Sequence, residues 1–369
     1  MKRSPSHRLQ FEYCDHRGDP EGWAKVLGIS TEAVALYLSC DVVDLHVDSF
    51  IWHRIWGHDV RQRRGPGLFR GRFWGQCDLP RAREAQLAGA MWSITTSPFR
   101  GRGGRLRAFK RNLSTLKSVL ESVPEEVTLV RNWREFRAAR ALGRHAAMIA
   151  VQGGNALDAS PAALDALVDD LVLRVTLVHL SNSVLGDTSA PWRLRAERGL
   201  TSEGGAYVEA LNARRVLVDL AHISKRGFAD VVAMHDRSLP LVVTHTGVNG
   251  AYPCWRNLDD QQLRQIADFG GTVGIIFHSG YLNGRQVGRA RADDVVNHIQ
   301  HVIRVVGADH VSIGSDYDGF IVPPRDLKTC VQLPRLVQAM LDRGLAPSSI
   351  EKVLGGNFLR VLRDLRGAG

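Results

Sequence analysis

Six imidazole and carboxylate side chains directly follow short apolar runs of this sequence, and side chains of these two kinds bind catalytic metal ions. The pattern opens with an H-x-D pair, in which alternate residues of an extended chain point in the same direction. The six residues are His46, Asp48, His179, His222, His245 and Asp316. A hydrolytic site needs a metal-bound water and a proton acceptor, and this set contains candidates for both tasks. A single histidine at the end of a strand is more often a structural, hydrogen-bonded residue, but the whole pattern predicts a metal site.

The elements that carry these residues alternate between short apolar or β-branched runs and longer amphipathic segments. We predict strands over Val42–Val47, Ala90–Thr95, Ala146–Val151, Leu173–Val178, Val216–Leu220, Leu241–Thr244, Thr272–Phe277 and His310–Gly314. Near-continuous apolar strands that alternate with helices form a parallel sheet covered on both faces. Eight such units predict an α/β fold, a (β/α)₈ TIM-like barrel of the metal-dependent hydrolase type, whose catalytic residues lie at the carboxyl ends of the strands.

The remaining segments suggest how the chain is organised around this barrel. Helical patterns cover Glu203–Arg214, Lys225–His235, Asp259–Phe269 and Asp293–Val306. We expect residues 1–40 to form a helical lead-in with a helix over Thr31–Ser39, and residues 41–369 to form the catalytic barrel domain. Residues 53–78, rich in arginine, glycine and tryptophan, predict a long loop that overhangs the active site. The G-x-G-x-x-G turn of a dinucleotide-binding sheet is missing after the first strand.

The composition is that of a soluble globular enzyme. The chain has 369 residues, of which 44% are hydrophobic and 23% are charged. Its five cysteines form no C-x-x-C pair, which favours reduced thiols and a cytoplasmic location. No run of about 20 apolar residues occurs, so we expect no membrane association.

The net charge of +10 raises the question of an anionic partner. The basic residues are spread along the chain with acidic residues close by, so we expect no nucleic acid and instead a small-molecule or dipeptide substrate. The densest basic cluster consists of Arg100, Arg102, Arg105, Arg107, Lys110 and Arg111. This cluster forms either a solvated helix face or an anion-binding patch. A homodimer is left open.

Several segments form recognisable motifs in a consistent order from about residue 40 to the end of the chain. They are D-L-H-V-D (44–48), L-P-R (79–81) with M-W-S (91–93), T-L-V-H (176–179), L-V-D-L-A-H-I-S (217–224), V-T-H-T (243–246), R-N-L (256–258), G-S-D-Y-D-G (314–319) and G-G-N-F-L-R (355–360). In these motifs the chain resembles the membrane (renal) dipeptidase family of zinc peptidases, which are amidohydrolase-like metal-dependent hydrolases.

The resemblance implies a binuclear zinc site. His46 and Asp48 would bind one metal ion, and His222 and His245 the other. His179 and Arg256 would hold the substrate, with the guanidinium gripping a carboxylate. Asp316 would handle the proton of the attacking water and of the leaving amine. The structural alternative for Arg256 is an ion pair with a neighbouring loop acid such as Asp259.

One metal ligand departs from the family pattern. Where the family has a bridging glutamate in a pattern like E-G-G-H, this chain reads Gln152-Gly153-Gly154-Asn155. The amide of Gln152 is neutral, and only its oxygen can coordinate a cation. With less negative charge between the two ions, we expect one zinc, a weakly held second zinc, or none. Asn155, in the place of the family's histidine, is expected to form part of the substrate-binding wall or, alternatively, to cap a loop.

Two functions remain open at the level of the sequence. The first is a dipeptidase-like metallohydrolase that cleaves the amide bond of a dipeptide or of a similar small substrate with a carboxylate. The alternative is a divergent family member that lacks peptidase activity because of Gln152, and that has another biosynthetic or ligand-binding role.

Overall fold

The computed structural model describes residues 11–65, 73–97, 99–158, 160–191, 196–284 and 288–367. Its strands are β1 Val43–Val47, β2 Gly89–Thr95, β3 Val127–Leu129, β4 His145–Gln152, β5 Val172–Thr176, β6 Leu217–Asp219, β7 Leu241–Thr246, β8 Val273–Ile275 and β9 Val311–Ile313. Eight of them pair in the order β1-β2-β4-β5-β6-β7-β8-β9, and β3 pairs with β4 outside this path. Every pair is parallel, so the carboxyl ends of all strands lie at one end of the sheet.

The sheet curls into a nearly closed barrel, because β1 meets the chain that follows β9. The amide of Asp48 donates to the carbonyl of Tyr317 at 2.9 Å, and the amide of Asp316 donates to the carbonyl of His46 at 3.0 Å. These bonds hold two of the candidate site residues against each other at the seam. The predicted (β/α)₈ TIM-like fold is confirmed.

Each predicted strand corresponds to a strand of the barrel, with ends that differ by a few residues. The predictions over Val216–Leu220 and Thr272–Phe277 are longer than the strands observed, because the chain leaves the ladder where the strand-end loops begin. The strand Val127–Leu129 was not predicted. Three residues are too few to show a periodic pattern, and this strand pairs only with the neighbouring β4.

Helices surround the barrel and alternate with its strands. They are α1 Pro20–Leu27, α2 Thr31–Ser39, α3 Phe50–Trp56, α4 Leu79–Glu84, α5 Arg102–Glu121, α6 Trp133–Ala141, α7 Ser202–Ala213, α8 Lys225–Met234, α9 Asp260–Asp268, α10 Ser279–Leu282, α11 Ala292–Val306, α12 Pro334–Asp342, α13 Pro347–Glu351 and α14 Asn357–Arg366. The four helices predicted between strands are α7, α8, α9 and α11, each within one residue of its expected ends. Side-chain caps define such starts: the Asp259 carboxylate accepts from the amide of Gln262, and the Gln262 side-chain oxygen accepts from the amide of Asp259.

The lead-in helices α1 and α2 lie against the barrel and do not extend away from it. Trp23 and Tyr37 are buried, and the Tyr37 hydroxyl donates to the carbonyl of Ala85 at 2.5 Å. The hydroxyl of Ser30, which caps α2, donates to Gln338 of α12 at 2.7 Å. These contacts tie the start of the described chain to the outer helical layer.

The segment predicted as a long loop over 53–78 begins inside a helix, since α3 extends to Trp56. Residues 66–72 of that prediction lie outside the described residues. Arg54 and Ile55 of α3 line the cavity at the carboxyl ends of the strands, as expected of a segment that overhangs a site. Among the helices of the described ranges, none combines the length and the apolar character needed to cross a bilayer.

Candidate metal centre and substrate cavity

The parallel strands bring the candidate ligands to one end of the barrel. His46 lies in β1 with Asp48 just after it, Gln152 ends β4, and His245 lies in β7. Three further residues each stand three positions beyond a strand: His179 after β5, His222 after β6 and Asp316 after β9. All seven side chains are buried except that of His179, which is half-buried. The strand-end placement expected from the sequence is therefore observed for the complete set.

His46 stands between two carboxylates. Its Nε2 atom lies 3.4 Å from Asp48 Oδ1 and 3.5 Å from Asp316 Oδ1. Its ring stacks on that of His245, with 3.9 Å between the centroids. Donor atoms of His46, His245 and Asp316 all lie within 4.8 Å of one another. Nε2 of His46 and Oδ1 of Asp316 are buried and have no hydrogen-bond partner among the described residues, so this group fits a cation with nitrogen and oxygen ligands.

A second convergence of donor atoms lies beside the first. Nε2 of His222 and Nε2 of His245 are 2.8 Å apart, and the ring of His179 lies edge-on to His222 at 4.6 Å between centroids. Burial holds the pKa of His222 and of His245 well below its usual value, so both rings are neutral. Burial lowers the pKa of His179 to about 4. Two neutral imidazoles whose Nε2 atoms lie this close together are candidates for a pair of metal ligands.

The proton of His245 is fixed by a chain of hydrogen bonds. Thr244 Oγ1 donates its single proton to Asp219 Oδ2 at 2.7 Å, and it lies 3.0 Å from His245 Nδ1. Since that hydroxyl has no proton left to donate, it accepts one from Nδ1. His245 Nε2 is then unprotonated, which is the state that a metal ligand requires.

The amide of Gln152 lies beside this pair. Its terminal nitrogen position is 3.5 Å from His222 Nε2 and 3.4 Å from His245 Nε2, and its oxygen position is 3.2 Å from Thr95 Oγ1. Thr95 also lies 3.0 Å from Asp48 Oδ1, and its one proton goes to the charged carboxylate. An amide turned by 180° then donates to Thr95 and directs its oxygen at the two imidazoles. Gln152 can serve as a ligand only in this orientation.

Two of the site residues have an unusual backbone. His222 and Asp316 have φ of +66° and +62°, in the left-handed region that side chains other than glycine rarely adopt. The carbonyl of His222 accepts from the amide of Ser189 at 2.7 Å, which holds the turn in place. Non-glycine residues in this region are concentrated at functional sites, where the surrounding structure enforces the conformation. Burial, and then the charge of Asp48, raise the pKa of Asp316 well above its usual value.

Arg256 contributes a buried cation to the same end of the barrel. Its Nη2 donates to the carbonyl of His245 at 2.7 Å, while its buried Nε has no partner among the described residues. The alternative of an ion pair with Asp259 is wrong, because Asp259 pairs with Lys225 Nζ at 2.5 Å and caps α9. Since no carboxylate among the described residues pairs with this guanidinium, Arg256 remains a candidate for binding an anion in the cavity.

One cavity of about 560 Å³ joins these groups. Its polar lining includes Asp48, Gln152, Asn155, His179, His222, Arg256 and Asp316. His46 and His245 lie behind this surface. Apolar walls come from residues such as Ile51, Leu180 and Ile276. The volume is that of a small-molecule site, in which a few polar groups orient a ligand between apolar walls.

An arginine-lined cavity of about 510 Å³ adjoins the first one and shares Arg54 and residues 95–97 with it. Arg100, Arg105 and Arg111 from the basic cluster of the sequence contribute to its wall. Arg105 is neutralised by Asp158 at 2.8 Å. Among the described residues that line this cavity there is no carboxylate, so its potential is positive.

Some residues of the site were not predicted from the sequence. Arg174 is fully buried inside the barrel, where it contacts His46 and lies 3.3 Å from Asp219. In the sequence it could have been noticed as a lone charged residue within an apolar strand. Because it stands two positions before Thr176, its side chain lies on the same face of the strand as that of Thr176. Asp219 stands within the motif around β6, but its hydrogen bond to Thr244 could not be anticipated.

Comparison with known proteins gives consistent matches. The sequence profile of the membrane dipeptidases (peptidase family M19) matches residues 31–368. An uncharacterised protein in the pqqA 5′ region of Klebsiella pneumoniae is 37% identical over 169 residues, which are 45% of this chain and 61% of that protein. Dipeptidase ataJ of Aspergillus terreus is 28% identical over 79% of this chain and 77% of its own length. A metallopeptidase from Rhodobacter sphaeroides, solved with a phosphinate mimic of the dipeptide L-Ala-D-Ala, is 26% identical with a TM-score of 0.77, covering 88% of this chain and 99% of that one.

Proposed function

This chain belongs to the membrane dipeptidase family, peptidase family M19, and from this premise we propose that it hydrolyses the amide bond of a dipeptide or of a similar small substrate with a free carboxylate. The family is one of metallopeptidases. The observation that carries the proposal is the single cavity lined by His222, two carboxylates and a buried arginine without an acidic partner among the described residues, with His245 directly behind His222. The dipeptide mimic bound by the Rhodobacter relative supports a substrate of this size.

We propose zinc as the cofactor, since imidazole and carboxylate donors at a buried site are typical of it. His222 and His245 would hold one ion through Nε2, and His46 with Asp48 are the candidates for a second. When bound, zinc supplies Lewis acidity to the scissile carbonyl and lowers the pKa of water. Substrate binding and proton transfer are proposed to depend on side chains of this protein.

Arg256 is proposed to bind the carboxylate of the substrate. Its guanidinium has donors left over after the bond to the His245 carbonyl, and it lines the cavity without an acidic partner among the described residues. A buried, charge-assisted pair of this kind fixes the orientation of the substrate. His179 and Asn155 line the same cavity and are proposed to contact the substrate near the scissile bond.

Asp316 is proposed to carry the proton. The side chain lines the cavity, and burial and the charge of Asp48 raise its pKa, which suits a group that takes a proton from water and passes it to the leaving amine. Its Oδ1 lies 3.5 Å from His46 Nε2, at the inner end of the cavity.

The proposal is tested by metal analysis and by assays of a dipeptide panel with wild type and Asp316→Asn. We expect bound zinc and hydrolysis in wild type, and a loss of kcat of about 10²–10⁴-fold in the variant with its fold retained. Asp318→Asn is the matched control, because Asp318 accepts bonds from Ser49 and from the amide of Cys77 and does not line the cavity. Equal activity of wild type and Asp316→Asn would contradict the assignment.

A second candidate function rests on Gln152. The neutral amide beside the histidine pair removes a negative charge that two cations would need between them. Binding of a small carboxylate ligand without hydrolysis is therefore the alternative. A folded wild-type protein that binds dipeptides but cleaves none of them, with zinc present in excess, would favour it.

A further inference from the structure

Arg174 is an arginine that has no exposed surface and lies inside the barrel. It belongs to β5, and its side chain crosses the interior to His46 of β1. Its Nη2 atom lies 2.8 Å from His46 Nδ1 and donates to Ser93 Oγ at 3.0 Å. Its Nη1 atom donates to the carbonyl of Val151 at 3.2 Å. Every one of these contacts orients a guanidinium N–H towards an acceptor.

The bond to His46 determines which of its ring nitrogens carries a proton. A guanidinium has only donors and stays charged in proteins, so Arg174 can approach Nδ1 at 2.8 Å only if Nδ1 accepts. An imidazolium has no nitrogen that can accept, so an accepting Nδ1 makes the ring of His46 neutral. A neutral imidazole with an accepting Nδ1 carries its proton on Nε2. That N–H lies between the Asp48 and Asp316 carboxylates, at 3.4 Å and 3.5 Å.

This proton arrangement opposes metal binding at His46. A metal ion on Nε2 needs the lone pair of that atom, and the proton must then move to Nδ1, where the Arg174 N–H already points. Metal-bound histidines usually donate their second N–H to an acceptor such as a carboxylate, a carbonyl or water. His245 has such an acceptor in Thr244 Oγ1, whereas His46 faces a donor and a positive charge.

We propose that Arg174 is a positioning residue that occupies Nδ1 of His46 and so keeps the proton of that ring on Nε2, with the result that this protein holds one tightly bound metal ion, at His222 and His245. The inference rests on the proposed function for the presence of a metal. In this arrangement the Nε2–H of His46 lies between the Asp48 and Asp316 side chains, and Arg174 provides a positive charge beside them.

The test compares zinc binding by wild type, Arg174→Met and Arg174→Lys, using zinc content after dialysis and titration against a chromophoric chelator. We expect one tight equivalent in wild type. Methionine removes the donor, so the second equivalent should bind about 10- to 100-fold more tightly, the usual size of outer-shell effects on metal affinity. Lysine retains a donor and a charge and should restore the wild-type count.

The ion partner of Arg174 remains hydrogen-bonded in these variants. Asp219 accepts from the amides of Ala221 and Thr244 and from the Thr176 and Thr244 hydroxyls. The control for a general loss of stability is Arg83→Met. This variant removes another buried arginine, which pairs with Glu126. It should leave the zinc count unchanged.

The proton on His46 provides a measurement that does not depend on the variants. In metal-free wild type labelled with ¹⁵N-histidine, the ring nitrogen shifts of His46, assigned by their loss in His46→Gln, should show Nε2–H. An Nδ1–H ring, or two equally tight zinc ions in wild type, would overturn the inference. If folded wild type binds no zinc, the proposed function is contradicted. The ring nitrogen shifts of His46 would still show whether Arg174 places the proton on Nε2.

Discussion

His46 and His245 stack face to face, yet the residues that contact their Nδ1 atoms place the ring proton on different nitrogens. Thr244 leaves Nε2 of His245 without a proton, whereas Arg174 places the proton of His46 on its Nε2. The same residue type, in two strands of one barrel, is therefore prepared for two different tasks. At the residue scale, the group that contacts Nδ1 of each imidazole determines whether Nε2 carries a proton.

Gln152→Glu tests the same centre from its other side. A carboxylate can give one oxygen to each of two cations and adds a negative charge between them, so we expect tighter binding of the second zinc. The exchange is nearly isosteric, so packing should change little. Zinc titration of wild type and variant measures the effect. If the variant binds two ions but hydrolyses no dipeptide, the cavity itself has diverged and the ligand-binding function becomes the better one.

Arg256→Met tests how the substrate is held. We expect KM for a dipeptide with a free carboxylate to rise by about 10- to 100-fold, since a hydrogen bond to a charged group contributes about 1.5–3 kcal/mol. The C-terminally amidated analogue should be affected much less. Steady-state kinetics on both substrates give the comparison, and equal effects on the two would remove Arg256 from the carboxylate site.

At the scale of elements, the last strands of the barrel approach each other so closely that only glycine fits between them. A Cβ added to Gly274 of β8 would lie 1.9 Å from the carbonyl oxygen of Thr244 in β7, and one added to Gly314 would lie 1.7 Å from the same oxygen. Thr244 precedes His245 and sets its proton. The spacing of β7, β8 and β9 is thus coupled to the position of a candidate ligand.

Gly274→Ala should therefore disturb both stability and metal binding. The added methyl group must displace β8 from β7, at a cost of about 1–3 kcal/mol in the free energy of unfolding, and His245 should move with its strand. Urea unfolding and zinc titration measure the two effects. Gly104→Ala is the control, because the nearest atom to its added Cβ is the Arg100 Cβ at 3.8 Å and it lies within helix α5. A Gly274→Ala protein as stable as wild type would show that the strands can separate freely.

At the scale of the whole molecule, part of the positive charge lines a cavity next to the candidate metal centre. The net charge is +10, and the arginine-lined cavity opens beside the candidate metal centre. Arg54 lines both cavities and has no carboxylate within ion-pair distance among the described residues. The resulting field favours the approach of anions to this end of the barrel.

Salt should therefore slow the reaction of anionic substrates selectively. The Debye length falls from about 10 Å at 0.1 M to about 3 Å at 1 M ionic strength, so kcat/KM for an acidic dipeptide should fall several-fold over this range. Arg111→Gln should reduce the slope, because the exposed Arg111 lines the positive cavity. A substrate without net charge is the control. The same salt dependence for both substrates would point to a general salt effect and contradict steering.

The sequence alone determined the barrel and the end of it at which the candidate site residues lie. Strand and helix periods are local properties, and the parallel arrangement brings every strand-end histidine and aspartate to one face, so His46, His179, His222, His245 and Asp316 could be grouped without coordinates. Their roles as ligands or proton carriers stay predictions. The departure at Gln152 was equally visible, because it concerns a single position in a motif.

Only the tertiary structure decided what each of these residues meets. Arg174 reaches His46 from a strand 128 positions away, and Asp219 meets Thr244 from a neighbouring strand. Such contacts depend on side chains that cross the barrel interior, and no periodicity along the chain encodes them. The proton positions on His46 and His245, which separate a ligand from a hydrogen-bond donor, follow from these contacts. The physical reason is that a hydrogen bond depends on the distance and direction between two atoms. For residues far apart in the sequence, this geometry is defined only when the strands have formed the barrel.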